Sequence, residues 1–98
     1  MNDDKLHSDI TRGARARELL QDELLSEAFK TLEDSYIGLW RQTKPDQTAD
    51  REKLFIAVNQ IGKLRDHLHA VVSNGAIAQA ELNKLINDAE RKKRFGII

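Results

Sequence analysis

Leu24-Leu25-Ser26-Glu27-Ala28-Phe29-Lys30-Thr31-Leu32-Glu33-Asp34-Ser35-Tyr36-Ile37-Gly38-Leu39-Trp40, followed by Arg41-Gln42-Thr43-Lys44-Pro45-Asp46-Gln47-Thr48, is a helix and its stop written in one run. At about 100° per residue, Leu24, Leu25, Ala28, Phe29, Leu32, Tyr36, Leu39 and Trp40 fall within one broad arc. A stripe that wide marks an amphipathic helix packed against something else. Leu25, Leu32 and Leu39 are also heptad mates, which predicts a coiled-coil-like seam. Glu18, Asp22, Glu23, Lys30, Glu33, Asp34 and Arg41 lie mostly off the stripe. Pro45 cannot continue the helix and disfavours the helical region at Lys44.

Working back from this run, the pattern predicts one helix from about Ser8 to Gln42, with Ser8 or Thr11 as its cap. Gly13 weakens its first turn, and residues 1–12 are expected to be flexible. Working forward, Asp46 or Thr48 is expected to cap a second helix over about Ala49 to Val72. Its stripe is Leu54, Ala57, Val58, Ile61, Leu64, Leu68, Val71 and Val72, with Gly62 near the edge as a marker of close approach. A linker this short places the second helix antiparallel beside the first. Ser73-Asn74-Gly75 reads as a stop, because Gly75 or Asn74 suits the left-handed C-cap position. A third helix, about Ala76 to Lys93, presents Ala78, Leu82, Leu85, Ile86 and Ala89. The fold class predicted is all-α: a long antiparallel helical hairpin plus a shorter third helix, one domain over 1–98.

Composition narrows the function classes. The 98-residue chain has no cysteine, so disulfide frameworks and thiolate chemistry are excluded. Charged residues make up 33% and the formal net charge is zero, a polar surface with no overall bias. No apolar run approaches the roughly 20 residues of a membrane span, so no membrane partner is expected. Met1-Asn2-Asp3-Asp4 is acidic and lacks a signal-peptide pattern, which leads to the expectation of a soluble, intracellular chain.

The predicted helices differ in length, roughly 50 Å against roughly 36 Å at 1.5 Å per residue, leaving apolar length uncovered. Self-association is the simplest resolution, giving a homo-oligomer built on Leu25, Phe29, Leu32, Tyr36, Leu39 and Trp40. The alternative is that the third helix folds back over the gap.

Catalytic, cofactor and metal signatures are not found in the sequence. His67 and His69 lie two apart, so on a helix they point about 200° from each other. Asp66 and His69 at i, i+3 supply half a metal site. No Gly-x-Ser-x-Gly or phosphate-cradling loop occurs. Asp22-Glu23 and Glu33-Asp34 read as neighbours on solvated helix surface rather than an acid/base pair in a cleft. The chain is therefore expected to be no enzyme, to hold no cofactor or metal and to take no small-molecule substrate.

Charge distribution says more. Residues 1–50 carry a net −4 and residues 51–98 a net +4. Two basic clusters stand out, Arg12, Arg15 and Arg17 near the start and Arg91, Lys92, Lys93 and Arg94 near the end. Both are candidates for nucleic acid or an acidic partner. The second cluster equally complements a helix C-terminus. Trp40 beside Arg41 suggests stacking, or burial of the indole in a core or interface. Phe95, Ile97 and Ile98 follow the basic run and are candidates for docking into a partner groove, or for folding back onto their own helices.

Arg15-Ala16-Arg17-Glu18-Leu19-Leu20, Glu27-Ala28-Phe29, Tyr36-Ile37-Gly38-Leu39-Trp40, Arg51-Glu52-Lys53-Leu54 and Leu64-Arg65-Asp66-His67-Leu68 follow in an order that resembles small helical proteins of tailed bacteriophages and prophages. The resemblance spans roughly residues 12–80 and carries no family binding motif. Small terminase subunits are among such proteins; they form rings, bind viral double-stranded DNA and regulate the large ATPase subunit. It implies a DNA-binding or phage assembly protein, acting in DNA packaging or virion assembly, in the bacterial cytoplasm or the virion. The alternative expectation is a small helical inhibitor or regulator of one host protein, with Phe95, Ile97 and Ile98 or the Tyr36/Trp40 surface as contacts.

Overall fold

The computed structural model describes residues 2–94. It contains α1 (Asn2–Gln21), α2 (Glu23–Gln42) and α3 (Thr48–Arg94), with no strand among the described residues. The all-α class and the hairpin turn are as expected, but the breaks fall elsewhere. The helix expected to run from Ser8 to Gln42 begins at Asn2 and is interrupted at Asp22. The stop expected at Ser73-Asn74-Gly75 is absent, so the expected second and third helices are one helix of 47 residues. α1 and α2, end to end, form one arm of the hairpin, and α3 forms the other.

Each correction has a local cause. Asp22 leaves helical geometry at φ −66°, ψ 123° and caps α2, its Oδ1 accepting from the Leu25 N–H at 2.8 Å. An aspartate beside the N-terminus of a helix satisfies an orphan donor and opposes the helix dipole. Gly75 stays helical because it faces α1 rather than ending a helix. A Cβ placed on it would sit 2.9 Å from the Gly13 Cα and 3.0 Å from the Asp9 carbonyl oxygen. The close approach expected at Gly62 therefore belongs to Gly13 and Gly75; nothing lies within 4 Å of where a Gly62 Cβ would be. The stretch ahead of Ala14 is helix, with Leu6 and Gly13 buried.

The turn falls at the Pro45 segment. Thr43 closes α2, its N–H and Oγ1 both donating to the Trp40 carbonyl, at 3.0 and 2.6 Å. Gln47, rather than Asp46 or Thr48, organises the start of α3. Its Oε1 accepts from the Lys44 N–H at 2.7 Å, and its carbonyl accepts from the Arg51 N–H at 3.0 Å.

Packing is confined to one seam. The shielded positions on α1 are Leu6, Asp9, Ile10, Gly13, Ala16 and Leu20. Those on α3 include Leu54, Val58, Ile61, Arg65 and Leu68, then Val71, Gly75, Ala78 and Leu82. Spacings that alternate three and four are the period of a coiled coil. The phase slips once, between Leu68 and Val71, where α3 passes from α2 to α1. Leu6, Ala16, Phe29 and Ala78 are the buried apolar side chains among the described residues. The molecule measures 75 × 26 × 17 Å, with a radius of gyration of 21.6 Å. A compact domain of this length has about 13 Å.

Candidate interaction surfaces

Arg65 and Arg51 hold α2 to α3 and define the two sides of the hairpin. The Arg65 guanidinium carbon stands 5.2 Å from the Phe29 ring centroid, and its Nη1 lies 3.2 Å from Glu33 Oε2. Arg51 stands 4.7 Å from the Trp40 ring centroid and donates to Thr43 Oγ1 at 2.8 Å. The cation over Trp40 therefore comes from α3, and the stacking expected from neighbouring Arg41 is replaced by this contact.

On one side of the α2–α3 pair runs a grooved surface. Ile37, Trp40, Leu54, Phe55 and Val58 line a groove of about 190 Å³. Leu20, Ser26, Phe29, Arg65 and His69 line another of about 270 Å³. Phe55 is 65% exposed at the first groove. It lies off the predicted stripe and was no candidate from sequence, where a large aromatic outside the stripe was the available signal.

Helical phase fixes what lies on the other side. Measured from Phe29 at about 100° per residue, Ser26 and Ile37 lie at about +60° and +80°. Leu25, Leu32 and Leu39 lie at about −40° to −80°. Measured from Arg65, His69 and Phe55 lie at about +40° and +80°, and Ala57 and Leu64 at about −80° and −100°. The residues at positive phase line the grooves, so Leu25, Leu32, Leu39, Ala57 and Leu64 share the opposite face. Leu32 is 48%, Leu39 50% and Leu64 53% exposed on it. Leu24 is more exposed still, at the outer margin of this face.

The six residues expected to form an oligomer interface are thus divided. Leu32 and Leu39 are exposed on the leucine face, Leu25 is half-buried on it, and Tyr36 is half-buried beside it. Trp40 is part-exposed under Arg51 and lines the first groove. Phe29 is buried inside the hairpin, so it is a core residue and is corrected from that set. Arg12, Arg15, Arg17, Arg91, Lys92 and Lys93 are exposed, but the two groups are not brought together. Arg15 and Arg17 lie about 200° apart around α1. Arg17 borders a groove with Gly13 and Gly75, whereas Arg91, Lys92 and Lys93 are exposed near the end of α3. Counting antiparallel from the Gly13–Gly75 contact, Asn2 comes level with Ile86, so α3 runs on past α1. The Arg91 level stands about 24 Å along the axis from that contact. Arg94 is the last residue of α3, and Phe95, Ile97 and Ile98 lie outside the described residues.

Among the described residues, no group of three or more His, Asp or Glu is placed to hold a metal. No helix there is long and apolar enough to cross a membrane. No family model matches the chain, and neither a curated protein nor a solved structure matches it.

Proposed function

We propose that this chain is a non-enzymatic assembly protein that works as a homo-oligomer, its exposed apolar surface joining copies and its basic clusters meeting DNA or an acidic partner. The observation that carries the reading is surface area. The chain exposes 8038 Å², whereas a compact monomer of 11.2 kDa exposes about 5,700 Å². The excess is nearly three times the roughly 800 Å² per partner of a standard interface. Packaging of phage DNA or virion assembly, in the bacterial cytoplasm or the virion, is the setting its resemblance to small phage proteins suggests. In that setting association gathers basic clusters that one chain holds apart.

Light scattering behind gel filtration, at two salt concentrations and with and without duplex DNA, tests this reading. A salt-stable multimer that takes up DNA at low salt is expected, with DNA affinity falling steeply as salt rises. A monomer that ignores DNA overturns it. A second reading, a regulator that binds one host protein, is favoured by the groove beneath Trp40 and Phe55, which fits an apolar side chain of a partner.

A further inference from the structure

We infer that the leucine face of the α2–α3 half, formed by Leu25, Leu32 and Leu39 with Ala57 and Leu64, is where a second copy of this chain packs. The inference rests on the association reading above and names its surface. Three observations select this face and this occupant. First, its α2 part is free of charge, with Ala28 and Ser35 between the leucines, and the charged residues of its α3 part, Asp50 and Lys53, both stand at the end nearest the turn, ahead of Ala57, Gln60 and Leu64. Interface centres are depleted in charge in this way. The opposite side carries Arg51, Arg65 and the Glu33 ion pair.

Second, both helices repeat on it at seven residues: Leu25, Leu32 and Leu39 on α2, Ala57 and Leu64 on α3. A surface with that period is filled by helices of the same period, and a two-fold places the same stripes opposite themselves. Third, the excess surface of 8038 Å² over about 5,700 Å² is more than a dimer face removes from each partner. α1 covers the seam of α3 at its other half and ends at Gln21, so it does not reach Leu32 or Leu64.

The test combines mass and proximity. Wild-type chain at about 100 μM is expected to be a multimer by light scattering. Leu32→Glu with Leu64→Glu, both at exposed positions, is expected to keep the helical circular dichroism and weaken self-association at least tenfold. Phe55→Glu, on the grooved side, is expected to leave the mass unchanged. Because the chain has no cysteine, Ser35→Cys on the leucine face and Asn59→Cys on the grooved side each supply one thiol. A short thiol crosslinker is expected to join Ser35→Cys copies and not Asn59→Cys copies. If the double variant loses its helix signal, the crosslinking pair decides. A multimer indifferent to the two leucine changes, or joined through Asn59→Cys instead, overturns this face while leaving association standing. A wild-type monomer overturns both.

Discussion

Adding one methyl group at each of four glycines is expected to give opposite signs. All four lie within helices, where alanine is favoured over glycine by about 1 kcal/mol. At Gly38 and Gly62 nothing lies within 4 Å of a new Cβ, so that gain is unopposed. At Gly13 the Cβ would meet the Gly75 Cα at 2.9 Å and the Val71 carbonyl oxygen at 3.2 Å. Those are backbone atoms and cannot rotate away. Carbon atoms pack at about 3.5–4.0 Å, so α1 must move out by about half an ångström or more. Overpacking of this kind costs about 1–3 kcal/mol, and the lifted helix loses contact along its seam. Set against the propensity gain, Gly13→Ala and Gly75→Ala should each be destabilising by up to about 2 kcal/mol. Thermal unfolding by circular dichroism, at one protein concentration throughout, reads the difference. About 4–8 °C per kcal/mol is the scale for a domain of this size. Gly62→Ala should raise the midpoint by roughly that amount, and Gly13→Ala should lower it or leave it unmoved. Equal stabilisation at Gly13 and Gly62 would refute the claim that the two backbones touch there.

Asp22→Ala should cost about 1 kcal/mol in denaturant unfolding by removing the cap on the Leu25 N–H, and Asp22→Ser should restore most of it. Arg51→Ala should cost about 1 kcal/mol and change the emission of Trp40, the single tryptophan, because it removes the cation over the ring; unchanged fluorescence would count against that contact. Phe29→Ala should cost about 3 kcal/mol, whereas Glu33→Gln should cost less than about 1, since the Arg65 pair is about one-third exposed on both sides.

The sequence made the hairpin legible because two of its signals act locally. Pro45 stops a helix whatever surrounds it, and the stripe from Leu25 to Trp40 needs a partner whatever that partner is. The breaks are not legible in the same way, because their signals are conditional. Asn74-Gly75 ends a helix only when no tertiary contact rewards its continuation, and Gly13 lies too far away in sequence for that contact to be seen. Asp22 beside Glu23 has the pattern of a surface carboxylate pair, although an aspartate three residues before a leucine N–H is also a cap. Of the candidate surfaces, Leu32 and Leu39 were visible as heptad mates. Phe29 belongs to the same stripe and is buried, because the stripe is wider than one neighbouring helix covers. Leu64 sits in its own helix's stripe and is half-exposed for the same reason.

The seam also explains why the first arm breaks and where the uncovered surface lies. Against α1, α3 presents Gly75 to Gly13, with the small buried Ala16 and Ala78 on either side, so the two backbones come into contact there. Against α2, it presents Arg51, Leu54, Val58 and Arg65 to Phe29, Glu33 and Trp40. Interaxial distance follows the side chains at the contact. One straight helix cannot lie close along half of α3 and farther off along the other half, and the cap at Asp22 lets the axis step between them. On the small-residue half, the helices shield each other to their flanks, burying Leu6, Ala16 and Ala78. On the aromatic half, the bulky residues hold the helices apart, and the leucines flanking Phe29 and Arg65 stay outside. The same change of residue size along one seam that breaks the arm therefore leaves Leu32, Leu39 and Leu64 exposed together on one side.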